Sequence, residues 1–122
     1  MKYSQLVHKI KAIAGAGEDE SEDALEVLVE TVAVNLDTYS RKGFASRLPT
    51  ELRSAAQMEL TASHLDEDIV DQLMDLNEMD EITARKILRA AWRALIELFD
   101  SESAEDIQAG LPPHVKSVLL VS

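Results

Sequence analysis

Leu48-Pro49-Thr50-Glu51-Leu52-Arg53-Ser54 returns 63 positions later as Leu111-Pro112-Pro113-His114-Val115-Lys116-Ser117, and the rest of the chain follows from that recurrence. Laid on itself at this offset without a gap, the sequence gives 59 aligned pairs, of which eight are identical. The apolar positions say more than the identities. Leu6, Val7, Ile10 and Ile13 fall on Ile69, Val70, Leu73 and Leu76. Ala24, Leu25, Val29, Val32, Ala33 and Leu36 fall on Ile87, Leu88, Trp92, Leu95, Ile96 and Phe99. Both sets advance in steps of three and four, the period of a helix face, whereas a half-buried strand would alternate.

Each copy therefore predicts a helix of about three turns (near 2–14 and 65–77) and a longer second helix (near 20–37 and 82–99). A short helix and a final helix follow. Ser40 and Ser103 are the expected N-caps of the short helices Arg41–Arg47 and Ala104–Gly110, because a hydroxyl accepts one of the unpaired first-turn N–H groups. Proline disfavours helical geometry in the residue before it, so Leu48 and Leu111 sit at a bend. Pro49 and Pro112 suit the first position of the last helix. Gly15-Ala16-Gly17 follows a helix and lacks the third glycine and preceding strand of a phosphate cradle, so it reads as a helix–helix turn. Gly110 reads as a helix C-terminus. The fold expected is all-α: one domain over 1–122, built from tandem units 1–63 and 64–122 that pack about a pseudo-twofold axis.

A long amphipathic helix, a capped short helix and then Leu-Pro-x-x-[Leu/Val]-[Arg/Lys], twice over, resembles the bacterial domain-of-unknown-function family 2267. The likeness is carried by Phe44-Ala45-Ser46-Arg47-Leu48-Pro49-Thr50-Glu51-Leu52-Arg53 and its counterpart, and it extends over nearly the whole chain. Gly110 and the Pro112-Pro113 pair depart from the usual corner, which bears on where the last helix begins. What the resemblance implies is an all-helical fold of two tandem units, with no activity and no catalytic residues attached.

Composition narrows the function classes. The 122 residues are 46% hydrophobic and 29% charged, the balance of a folded globule. There is no cysteine, hence no disulfide framework and no thiolate chemistry. Twelve Lys and Arg stand against 23 Asp and Glu, a net charge of −11 that repels phosphate backbones and anionic headgroups. Neither nucleic acid nor a membrane is an expected partner. Without an apolar run near the ~20 residues of a bilayer span, and without an apolar stretch behind Met1-Lys2-Tyr3, a cytoplasmic location is expected.

The charges change sign between the copies. Glu22, Asp23, Glu26 and Glu30 in the first long helix align with Arg85, Lys86, Arg89 and Arg93 in the second. Steps of four hold 22/26/30 and 85/89/93 along one flank of their helices, so each row repels itself unless something opposite neutralises it. The preceding helices carry the complementary signs: Lys2, Lys9 and Lys11 in one, Asp66, Glu67, Asp68, Asp71 and Asp75 in the other. Unlike signs are thus expected to meet within each unit, or else the two long helices meet acid row against base row.

Catalytic and metal patterns are sparse along the same stretches. His64, Asp66, Asp68 and Asp71 form the one acidic grouping with a histidine, a weak candidate for a divalent cation. The calcium-loop pattern fails there, since Val70 occupies a ligand place and no glycine follows. No His-Glu-x-x-His or Glu-x-x-His occurs. Phe44, Trp92 and Phe99 lie on apolar repeat positions and are expected in the core. Val115, Val118 and Leu119 share a face that can close the second unit, which leaves Leu120 and Val121 pointing elsewhere. The reading that results is a non-catalytic helical interaction or structural module, without cofactor, whose partner is another protein or a second copy, most simply a dimer. Its expected contact residues are Glu22, Glu26, Glu30, Arg85, Arg89, Arg93, Leu120 and Val121. The alternative is a small enzyme or metal-dependent protein centred on His64, Asp66, Asp68 and Asp71.

Overall fold

The computed structural model describes residues 2–57 and 68–120. These form eight helices and no strand: α1 (Tyr3–Ala14), α2 (Glu18–Val34), α3 (Thr38–Ser46), α4 (Thr50–Gln57), α5 (Ile69–Leu76), α6 (Glu81–Ile96), α7 (Ser101–Ala109) and α8 (Pro113–Leu119). Two long helices, α2 and α6, lie against each other at the centre. α1 packs on both of them, as does α5; α4 covers α2, and α8 covers α6.

The apolar faces read from the periodicity are the faces that are buried. Leu6 and Ile10 of α1 are inaccessible, as are Leu25, Leu28 and Val29 of α2, Leu73 of α5 and Leu88 of α6. Trp92 is buried on α6 rather than displayed, and Val115, Val118 and Leu119 close α8 onto the core. At the far end of the first helices the expectation fails in the same way twice. Ile13 is 41% exposed and Leu76 is 57% exposed, although both continue the apolar period. Ser21 is a buried polar side chain in this core, and its hydroxyl donates to the Gly17 carbonyl one turn back at 2.8 Å, so its burial leaves the donor satisfied.

Helix ends correct the sequence reading at several points. The caps of α3 and α7 are Asp37 and Asp100, not Ser40 and Ser103. Each aspartate is extended, and its carboxylate accepts the backbone N–H three residues on, from Ser40 at 2.7 Å and from Ser103 at 2.7 Å. A carboxylate makes the charge-assisted version of the same bond, so the aspartates take the cap and the serines become donors within the first turn. Because an extended residue is needed at 37 and at 100, the long helices stop at Val34 and Ile96, short of the expected ends at 37 and 99. Pro112 is likewise the N-cap of α8 (φ −61°, ψ 152°) and Pro113 its first residue, so the last helix begins one position later than expected. The glycine turn is as read: Gly15 is left-handed (φ 68°), its N–H donates to the Lys11 carbonyl at 2.8 Å, and it ends α1 where other residues would be strained. Leu48 and Leu111 are buried at their bends.

One further contact holds the corner after α2. That helix has no basic residue in its last turn, and Arg41 from α3 supplies one, donating through Nε to the Ala33 carbonyl at 2.9 Å and through Nη2 to the Leu36 carbonyl at 3.3 Å.

The caps give stability a defined acid limb. Bonds from the Ser40 backbone and hydroxyl hold the Asp37 carboxyl below its usual range, Ser103 does the same for Asp100 with a smaller contribution from Arg47, and Asp80 is held down by the hydroxyl and backbone of Thr83. Depressed carboxyls contribute stability that is complete above their unfolded value near 3.8 and is lost as pH falls through the folded values. Thermal melts between pH 7 and pH 2 should therefore show this contribution lost below about pH 4. In an Asp37→Asn/Asp80→Asn/Asp100→Asn variant, the melting temperature should be lower at pH 7 and the acid slope flatter. An unchanged slope would mean these three carboxylates do not control it.

Candidate interaction surfaces

The charged rows sit where the long helices border the first helix of the other half of the chain. Asp23, Glu26 and Glu30 of α2 line a groove of about 300 Å³ together with Gln72, Asp75 and Leu76 of α5. Lys86, Arg89 and Arg93 of α6 line a second groove, of about 190 Å³, together with Ile13 at the end of α1. One groove is acidic and the other basic. This corrects the sequence expectation: the groove beside each row is completed by the first helix of the other half, and in the acidic groove α2 and α5 contribute the same sign.

The physical reason is the packing of α1 on α6 and of α5 on α2. The shared core fixes those neighbours, and the charges accept the consequence. Local relief is partial. Asn77 donates its side-chain amide to Asp23 at 2.8 Å. Lys9 pairs with Glu97 just beyond α6, and Arg85 pairs with Glu81 one turn back at 2.9 Å. Glu22 sits outside the acidic groove, and its carboxyl is raised by partial desolvation and by Glu18, Asp19 and Asp23 nearby. Burial, with Glu22, Glu26, Glu51 and Asp23 adding to it, pushes the Tyr3 hydroxyl up to about 12. On the other side Lys86 and Arg93 form an exposed positive rim.

A third concavity lies where α3 and α7 face each other. It has a volume of about 230 Å³ and is walled by Phe44, Phe99, Ile107, Arg47 and Asp106 among others. Phe44 and Phe99 stack with centroids 5.4 Å apart and planes 12° from parallel, and the Arg47 guanidinium carbon stands 6.0 Å from the Phe99 ring centre. Arg47 also reaches Asp100 at 4.0 Å. The sequence placed Phe44 and Phe99 in the core without connecting them. The two are 55 positions apart, and nothing in a helical period predicts a contact of that range.

The other predicted site residues divide into those the structure places and those it does not. Asp68 is spent as the N-cap of α5, accepting the Val70 N–H at 2.7 Å, and Asp71 is exposed in the first turn. His64 and Asp66 lie outside the described residues, as does Val121. Leu120 is 37% exposed at the end of α8. Among the described residues no group of three or more His, Asp or Glu is gathered as metal ligands would be, and no helix is long and apolar enough to cross a membrane.

A family model described as "Uncharacterized conserved protein (DUF2267)" matches residues 3–119 of this chain. No curated protein and no solved structure matches it.

Proposed function

The chain belongs to the uncharacterised conserved protein family DUF2267, and from that premise we propose that it is a non-catalytic helical interaction module. In this reading two like units, 1–63 and 64–122, pack about a pseudo-twofold axis. Support for the units comes from the paired contacts of α1 and α5 with both long helices. It comes also from burial that matches at positions 63 apart, as at Ile10 and Leu73 in the first helices and at Leu48 and Leu111 in the corners.

The single observation that carries the reading is the pair of charged grooves, each with a large apolar side chain, Leu76 or Ile13, left exposed at its edge. An exposed apolar side chain beside a row of charge is a surface that a protein contact can cover. The titratable groups lining these grooves are carboxylates in one and cations in the other, an arrangement suited to recognising charge on a partner surface.

Cross-linked affinity capture tests it, using the full chain against an Asp75→Lys/Arg93→Glu variant. A partner chain, of this sequence or another, retained by the first and lost by the second is the expected result. Retention of nothing by either would sink the reading. So would micromolar binding of calcium, magnesium, manganese or zinc by calorimetry, which would favour the acidic segment around Asp68 and Asp71 as the working part.

A further inference from the structure

The two grooves are counterparts. At the 63-residue offset Asp23 corresponds to Lys86, Glu26 to Arg89 and Glu30 to Arg93, while the exposed Leu76 corresponds to the exposed Ile13. One chain therefore carries, on equivalent helix pairs, the same kind of groove in both signs. Each charged row, Asp23/Glu26/Glu30 or Lys86/Arg89/Arg93, advances by three and then four residues along the rim of its groove, and side-chain ridges at such steps seat in the groove between two helices of another surface.

We propose that the acidic groove of one copy docks on the basic groove of a second copy of this chain. The row through Glu26 would lie along Lys86 and Arg93 of the neighbour, and the row through Arg93 along Glu26 and Asp75, with Leu76 and Ile13 covered at the centre. Charge complementarity selects the occupant. Between two chains of net charge −11 the overall repulsion makes even the basic groove a poor site for a copy that arrives in a random orientation. It becomes a good one only where that copy presents its acidic row, so the same charges that repel most orientations choose one. Pairing a groove with its own copy would set like signs against each other, so the contact is head-to-tail. It leaves one groove of each sign open at the ends.

The inference rests on the interaction-module reading, but it fails separately from it. Sedimentation velocity of the full chain is measured at about 0.05 M and about 0.5 M salt, beside Glu26→Lys/Asp75→Lys and Lys86→Glu/Arg93→Glu. All four positions are exposed, and Glu30 and Arg89, which have partners within the fold, are left as they are. Wild type should associate at low salt and dissociate as salt rises. Each double variant alone should lose association by about tenfold or more, and an equimolar mixture of the two should recover it, because the first keeps its basic groove and the second its acidic groove, so one native pairing is available between them. The recovery is a result that a loss of fold cannot imitate, and Glu26→Lys and Arg93→Glu singly provide a second pair if a double variant melts early. A monomer at every concentration and salt would overturn the proposal, as would association untouched by charge reversal or not restored on mixing. A monomer that still captures another protein through the same charges would overturn self-docking and leave the module reading standing.

Discussion

A fragment ending at residue 63 should give no cooperative thermal transition and should bind a hydrophobic dye, while the full chain melts in one step. In the full chain α1, with Leu6 and Ile10 buried, packs on α6 as well as on α2, and α2 packs on α5 and α6. Cutting the chain leaves α1 and α2 with much of those faces open. Marginal stability is the small remainder of burial against chain entropy, so losing so large a share of the burial leaves nothing to offset the entropy of ordering. Circular dichroism melts and dye fluorescence of the fragment read this directly. A sharp, reversible transition in the fragment would show that the first half carries a core of its own.

The second large effect is expected at Leu88. Its side chain is inaccessible at the middle of α6, the helix that α1, α2, α5 and α8 all touch. Leu88→Ala should lower the unfolding free energy by about 2–5 kcal/mol, the transfer cost of the lost methyl groups plus the cavity left among helices that hold it from several sides. Leu76→Ala is the matching control. That leucine is 57% exposed, and its removal should leave the midpoint of a urea titration almost unmoved. Equal effects at the two positions would mean that burial does not govern their contributions to stability.

The helices and their buried faces were legible because burial on a helix repeats in the sequence, and Leu6, Ile10, Leu25 and Leu88 announce themselves by spacing alone. Caps were half legible. Asp37 and Ser40 both favour a helix start, and choosing between them needs the backbone angle at 37, which depends on where α2 lets go of the chain. The apolar period overran at Ile13 and Leu76 because period gives a direction around the helix and not the length of the neighbour that covers it. Signs were the hardest. The rows at Glu26 and Arg93 are plain in the sequence, but which helix each one borders follows from how the core is shared. A core made mostly of Leu, Ile, Val and Ala carries no label saying that α1 will reach across to α6. For the same reason the Phe44–Phe99 stack and the Arg41 bonds to the end of α2 became visible only once the helices were placed.

The reach of α1 across to α6 also sets a timetable for synthesis. α1 is covered in part by residues 81–96, so that side of it waits until the chain has grown from Ala14 to Ile96. At about 5–20 residues per second that interval is several seconds or more, far longer than the microseconds in which the helix itself can form and dissolve. Through that interval the side of α1 that α6 will cover is open to whatever surrounds the growing chain, with Lys2, Lys9 and Lys11 as the charged neighbours of that apolar face.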